Sequence, residues 1–325
     1  MGKIDIRQFT DTDLDGTGCF IVLNQFYKVE CTSHAPGTLD DAVWSYIESL
    51  EHAEEDDIPD YIVISDLSIR DRSLAEELFS NTFDKYGVQV VLLDHHASAL
   101  WLNKYGARVC VKLNGKLTCG TEMVYEWCLQ NFRASRPDLL SDPLAKFVEV
   151  VRLWDTWDWT LPSTDLHLKY LAEGLDLCVH YFDTAELCNR ITFNLLQGVL
   201  LDPDLDQYMS VLIDVKHHEV ENRLNCIYET DFCGYTAGIV FSDKYESDIG
   251  NEICKKGYQV GIVIDMYDDT VSLRSIDKDV DVSNIAIMYN GGGHLHAAGF
   301  PLNYGDGEDG VTGTIIEHLL DMQVD

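Results

Sequence analysis

The apolar positions of the first half of the chain follow two alternating rhythms. The short runs "KIDIRQF", "YIVISDL", "VQVVLLDHH" and "RVCVKLN" have the length and β-branched content of strands. The longer stretches between or after them, "TGCFIVLNQFY", "DDAVWSYIESLEHA", "SLAEELFSNTFDKY" and "TEMVYEWCLQNF", carry apolar residues at helical spacing. Strands alternating with helices predict βαβ units and an α/β fold with a doubly wound, mainly parallel sheet. Ligands of such sheets bind beyond the carboxyl ends of the strands. "AEEDDIPD" (53–60) reads as a solvated connection, and "LDQYMSVLIDVKHHEVENRLNCIY" (205–228) as one long helix without a breaker. His217 and His218 lie within it among charged residues and read as helix surface.

After Gly234 the rhythm changes. "YTAGIVFS", "YQVGIVIDMY" and "TVSLRSI" read as strands and "ESDIGNEICKKG" as a helix, and "VSNIAIMY" leads into the glycine-rich "NGGGHLHAAGF". The chain is therefore expected to divide into a domain at 1–200, a joining helix at 201–230, and a smaller α/β domain at 231–325. The active site is expected in the cleft between the two domains. A length of 325 residues is enough for two cores.

Composition narrows the functional classes. The formal net charge of −33 argues against a protein that coats long nucleic acid, whose affinity rests on many Lys and Arg contacts to phosphates. It leaves room for a small anionic substrate in a local pocket that contains metal ions. Ten cysteines without a CxxC pair exclude a zinc ribbon and a dithiol redox motif. No apolar stretch approaches the roughly 20 residues that span a bilayer. "MGKIDIRQF" lacks the apolar core of a signal peptide, so no membrane partner and a cytoplasmic address are expected.

Four acidic features then stand out at the ends of predicted strands or helices. "FTDTDLDGTG" alternates Asp11, Asp13 and Asp15 after the first strand, with Gly16 and Gly18 permitting a tight turn beneath them. Alternating carboxylates converge only if a cation offsets their repulsion. A calcium loop of the EF-hand type would need a glutamate where Asn24 stands. Asp66 ends the apolar run "VISDLS", where an acid is costly unless paired or ligated. "LLDHHAS" puts Asp94, His95 and His96 at another strand end, and "VVRLWDTWDW" sets Asp155 among tryptophans. Singly, each has an ordinary explanation as a cap, a turn or an aromatic core. Jointly they describe a hard-oxygen site with one or two nitrogen ligands, suited to Mn²⁺, with Mg²⁺ or Co²⁺ as alternatives.

The series DxDxDG, SD, DHH and DTWxW, with a C-terminal GGGHxxAAGF, resembles the DHH phosphoesterase superfamily in its DHH–DHHA1 arrangement. Within it, "FTDTDLDGTGCFIV", "LWDTWDW" and "SLRSIDKDVDVSNIAIMYNGGGHLHAAGF" look most like the nano-RNase branch of the NrnB type. One departure is Asp11, where that branch usually carries His. The resemblance implies two divalent ions, one held by Asp11, Asp13 and Asp66, the other by Asp15, Asp66, His95 and Asp155. Asp66 would bridge them, and a hydroxide activated by both would attack phosphorus. By the same resemblance His96 serves the scissile phosphate and Asp94 orients a histidine. Gly291, Gly292 and Gly293, with His294 and Arg274, are expected to contact substrate phosphate, since glycine amides approach anions closely and a guanidinium can fork onto them.

The expected activity is Mn²⁺-dependent hydrolysis of very short single-stranded oligonucleotides, dinucleotides included, to mononucleotides. A cyclic nucleotide or cyclic dinucleotide phosphodiesterase is the alternative, and a RecJ-like single-strand exonuclease a weaker one. Long duplex nucleic acid is not an expected partner, and a homodimer is compatible with the sequence.

Overall fold

The computed structural model describes residues 4–132 and 142–302. The last part of the predicted 231–325 domain, residues 303–325, lies outside the described residues. The chain divides into two units, Met1–Ile213 and Asp214–Asp325.

The first unit opens with β1 (Asp5–Thr10), α1 (Leu14–Phe26), β2 (Lys28–Ser33), α2 (Leu39–Leu50) and β3 (Tyr61–Ser65). It continues through α3 (Arg72–Ser80), α4 (Thr82–Tyr86), β4 (Gln89–Asp94), β5 (Arg108–Val109), β6 (Lys112–Leu113) and β7 (Lys116–Leu117). Helices α5 (Gly120–Phe132), α6 (Asp142–Asp155), α7 (Leu166–Tyr181), α8 (Thr184–Leu196) and the start of α9 (Pro203–Leu224) complete it. Among the described residues its main sheet has the order β2-β1-β3-β4-β5 and is parallel throughout.

Both faces of that sheet are covered, which is why its central strands read as continuous apolar runs. In β3, Val63 faces one core with Ile6 and Leu93, beneath α1, α5, α6, α7 and α8. Ile62 and Ile64 face the other with Phe9 and Leu92, beneath α2 and α3. The alternation of side chains along each strand produces this division.

The structure differs from the sequence reading in places with clear local causes. "RVCVKLN" is not one strand: β5 stops at Val109, and β6 pairs with β7 in a small hairpin. Its turn, Asn114–Gly115, has φ of 51° and 83°, the positive pair that favours Asn-Gly in two-residue hairpins. "SLAEELFSNTFDKY" breaks at Asn81 into α3 and α4. β2 is a half-exposed polar edge strand, with none of the apolar alternation that marks the others. Helix α9 ends at Leu224, not Tyr228, and Tyr228 begins a strand.

The second unit contains β8 (Tyr228–Phe232), β9 (Tyr235–Phe241), α10 (Glu246–Lys255), β10 (Val260–Asp265), β11 (Thr270–Arg274), α11 (Val282–Met288), β12 (Gly292–His294) and β13 (Ala297–Pro301). Its sheet, β12-β13-β11-β10-β9-β8 among the described residues, is mixed: only β9 and β10 run parallel. Among the described residues no helix is long and apolar enough to cross a membrane.

Candidate metal centre

The carboxyl ends of β1, β3 and β4 deliver the acidic residues of the first unit to one place. Thr10 ties two of these ends together, its hydroxyl donating to the carbonyls of Gly16 and Ser65, both at 3.1 Å. Asp13 caps α1, its carboxylate accepting from the Gly16 amide at 2.9 Å. Asp15 is in the first turn of α1 and is buried. Its carboxylate accepts from the amides of Gly120 (2.6 Å) and Thr121 (2.8 Å), at the start of α5. Unpaired amides and the positive end of a helix dipole favour an anion there.

Asp66 follows β3 with φ of 56°. A left-handed backbone at a non-glycine residue costs about 1–3 kcal/mol and persists only where its surroundings enforce it. Here the Asp66 amide donates to Leu93 O at 3.0 Å, fixing the turn to the neighbouring strand. Its carboxylate is buried, and Oδ2 has no hydrogen-bond partner. Burial, then the charges of Asp15 and Asp13, push its pKa well above the ordinary carboxylate range.

Asp155 arrives from a helix end. It is the last residue of α6, where the dipole disfavours an anion. Burial, then Asp15 and Asp13, raise its pKa to about 8. Desolvation and the neighbouring Asp15 raise Asp13 to about 6, although Asp13 stays open to solvent on one side and is the weaker constraint.

His95 lies among these acids. Its Nε2 is 3.2 Å from Asp66 Oδ1 and 3.8 Å from Asp15 Oδ2, and its Nδ1 is 3.6 Å from Asp155 Oδ2. Nε2 is buried and makes no hydrogen bond despite this company. Burial lowers its pKa, so the ring is held neutral among three carboxylates. His96 is opposite in every respect. Its side chain is half exposed, its Nδ1 is 2.7 Å from Asp94 Oδ1, and that hydrogen bond raises its pKa. Burial alone would raise Asp94, but hydrogen bonds from His96 and the Ser68 hydroxyl outweigh it and hold the carboxylate below its ordinary range. Asp94 therefore positions His96, and the amides of His95 and His96 also donate to it.

Asp15, His95 and Asp155 place donor atoms within 4.8 Å of one another, as do Asp66, Asp94, His95 and His96. Asp11 and Asp13 join neither group; Asp11 Oδ1 accepts from the Thr12 amide at 2.6 Å, and Asp13 caps α1. Like charges this close, with raised pKa values, an unsatisfied buried oxygen and an unsatisfied imidazole nitrogen, fit a divalent cation.

In the second unit, Arg274 ends β11 and donates to Ser247 Oγ at 2.6 Å and to Leu273 O at 2.8 Å. The glycine run opens strand β12. A Cβ on Gly291 would lie 2.1 Å from Gly299 O, and one on Gly293 2.4 Å from Ala298 Cα, so close strand packing accounts for both. Gly292 faces open space, and His294 is exposed.

No protein-family model matches the chain. It is 29% identical over 301 residues to the oligoribonuclease NrnB of Bacillus subtilis (strain 168), covering 90% of this chain and 71% of that protein. Among solved structures it is similar to PggH, a pGpG-specific phosphodiesterase from Vibrio cholerae, with a TM-score of 0.56, 12% identity and 98% of each chain covered. RecJ of Thermus thermophilus in complex with Mn²⁺ is similar with a TM-score of 0.53 and 16% identity, over 92% of this chain and 49% of RecJ.

Sequence reasoning missed the residues that hold the site from outside the acidic motifs. Gly120 and Thr121 are among them, and so is Ser68. The sole hint was a pair of small residues opening an apolar helix. Gly120 is required because a Cβ there would sit 2.6 Å from Asp66 Cβ and 3.0 Å from Asp15 Oδ2.

Two outcomes follow. Gly120→Ala should cost about 1–3 kcal/mol of stability by overpacking, and should weaken divalent-cation binding, measured by denaturant titration and calorimetry. A carboxyl whose pKa is raised on folding destabilises the fold as pH rises through the raised value, and a cation that binds the ionised set restores that stability. The increase in Tm on adding Mn²⁺ to chelator-treated protein should therefore grow between pH 6 and pH 8, following Asp13 and Asp155. A pH-independent increment would contradict the protonated, crowded carboxylates.

Proposed function

We propose that the protein is a divalent-metal-dependent phosphodiesterase that hydrolyses short single-stranded oligonucleotides, dinucleotides included, to mononucleotides. The observation that carries this reading is the neutral His95 held among Asp15, Asp66 and Asp155 with its Nε2 unsatisfied. The similarity to an oligoribonuclease over 90% of the chain supports the substrate class.

In this reading Asp15, Asp66, His95 and Asp155 would hold one cation; a second would need Asp11 and Asp13, which join neither donor group, to turn toward Asp66. Bound there, the cations supply Lewis acidity to the phosphodiester and acidify water. Asp66 suits a shared position, since its carboxylate is oriented by the strained turn and by no hydrogen bond of its own at Oδ2. The α5 amides fix Asp15 so that it cannot swing away when its neighbours ionise. His96, kept protonated more readily by Asp94, holds a proton for the leaving oxygen. Arg274, and Gly292 on its side open to solvent, serve substrate phosphate in the second unit. The charge of −33 favours short substrates, because long single strands need an extended basic track.

Incubation with Mn²⁺ and a panel of labelled dinucleotides, a single-stranded 24-mer, cyclic dinucleotides and pyrophosphate tests the reading. Dinucleotides should be cleaved fastest. Asp66→Ala and His95→Ala should each lower kcat at least about 100-fold with the fold retained by circular dichroism. Asp94→Asn should cost about 10–100-fold, and Arg274→Ala should act mainly on KM. Full activity in both metal-site variants, or preference for pyrophosphate, would overturn the reading.

A further inference from the structure

Asp155 is followed by a turn whose conformation its sequence does not favour. Trp157 has φ of 62°, a region that bulky L-residues seldom enter. The turn is nonetheless pinned on every side. Arg152, itself only 3% exposed, donates to Asp158 Oδ2 at 2.8 Å and forks onto Glu149 at 2.8 Å twice. The Trp157 amide donates to Trp154 O at 3.1 Å, the Thr160 hydroxyl to Trp157 O at 2.9 Å, and the Thr164 hydroxyl to Asp158 O at 2.7 Å.

The strain is not offset by burial, because Trp157 is 42% exposed. One side of it is backed by two further indoles. Trp154 lies at 6.4 Å and 21° between ring planes, Trp159 at 6.0 Å and 34°, and those two stack on each other at 4.9 Å. A buried Arg152, paired with the part-exposed Asp158, thus holds a turn in which a large aromatic residue stays partly open to solvent, in an unfavourable backbone state, two residues from a carboxylate of the candidate centre. Strain kept at such a position points to function, because packing alone would be better served by a relaxed turn.

We propose that Trp157 is a stacking platform for one unpaired nucleobase of the substrate whose phosphodiester lies at the Asp15–Asp66–His95–Asp155 centre. The inference rests on the phosphodiesterase reading and adds to it. Stacking is tolerant of base identity, since every base has a π-face, and it requires a base free of its complement. The protein should therefore discriminate by the presence of an accessible base, and not by sequence. Trp157 acts here as a positioning residue for the scissile phosphate, with Trp154 and Trp159 as its support.

The test compares a dinucleotide with an analogue abasic at one residue, with each position made abasic in turn, in wild-type protein and in Trp157→Ala, Trp157→Phe and Trp157→Gly. Trp157→Ala should raise KM for the dinucleotide on the order of 5- to 100-fold with a smaller effect on kcat. Trp157→Phe should recover part of that loss. For one abasic position, the penalties of removing the base and removing the indole should not add. Trp157→Gly, which relieves the left-handed strain, should match Trp157→Ala in KM while keeping or raising Tm. An unchanged KM in Trp157→Ala, additive penalties at both positions, or a large fall in Tm for Trp157→Gly would overturn the platform. If wild-type protein cleaves no dinucleotide, it is the phosphodiesterase reading that fails.

Discussion

Repulsion among carboxylates that the fold packs around one neutral imidazole governs the first unit. Each acid is delivered by a different device, and each device resists relaxation. The α5 amides grip Asp15, a left-handed turn tied to β4 aims Asp66, and the end of α6 presents Asp155 against its own helix dipole. Water cannot dilute the conflict, because Asp15 and Asp66 are each 2% exposed. Protonation would relieve it at low pH, and the donor set gathered there could hold a divalent cation at higher pH.

The adjacent histidines show how one strand end can supply two protonation states. Their rings are 4.3 Å apart, yet burial holds His95 neutral while Asp94 favours a proton on His96. Asp94 can do this because it is fully buried and still well supplied with donors, from two backbone amides, Ser68 and His96. A strand turns successive side chains in different directions, and here that geometry separates a ring held neutral from one that favours a proton.

Backbone strain occurs in the same neighbourhood and elsewhere. Among the described non-glycine residues with positive φ, Asn114, Cys233 and Asp269 lie in turns between paired strands, where left-handed backbone is ordinary. Asp66, Trp157, Tyr245 and Asn290 do not. Tyr245 precedes α10 and Asn290 lies between α11 and β12 in the second unit, whereas Asp66 follows a buried parallel strand and Trp157 follows the helix that ends in Asp155, so two of the four adjoin the acidic cluster.

The chain's apolar rhythms determined much by themselves. The parallel α/β core of the first unit, the change of pattern after Gly234 and the acids at the ends of β1, β3 and β4 are all legible, because strand periodicity and carboxylates at strand ends are local properties. The polar edge strand β2 was not, since a strand with no buried residue carries no apolar alternation, and the start of β8 was hidden in the run read as one helix to Tyr228. The break after β5 was signalled only by Asn114–Gly115. Tertiary structure alone decided which donors meet. Asp15 is held from 105 residues away by Gly120, Asp155 reaches His95 from a helix end, and Asp11 turns to Thr12 and stays out of both donor groups. It also assigned Asp94 to His96 instead of His95, and it left Trp157 exposed. Spacing along a chain sets which side chains share a face, but convergence of distant elements depends on how the packed core places their ends.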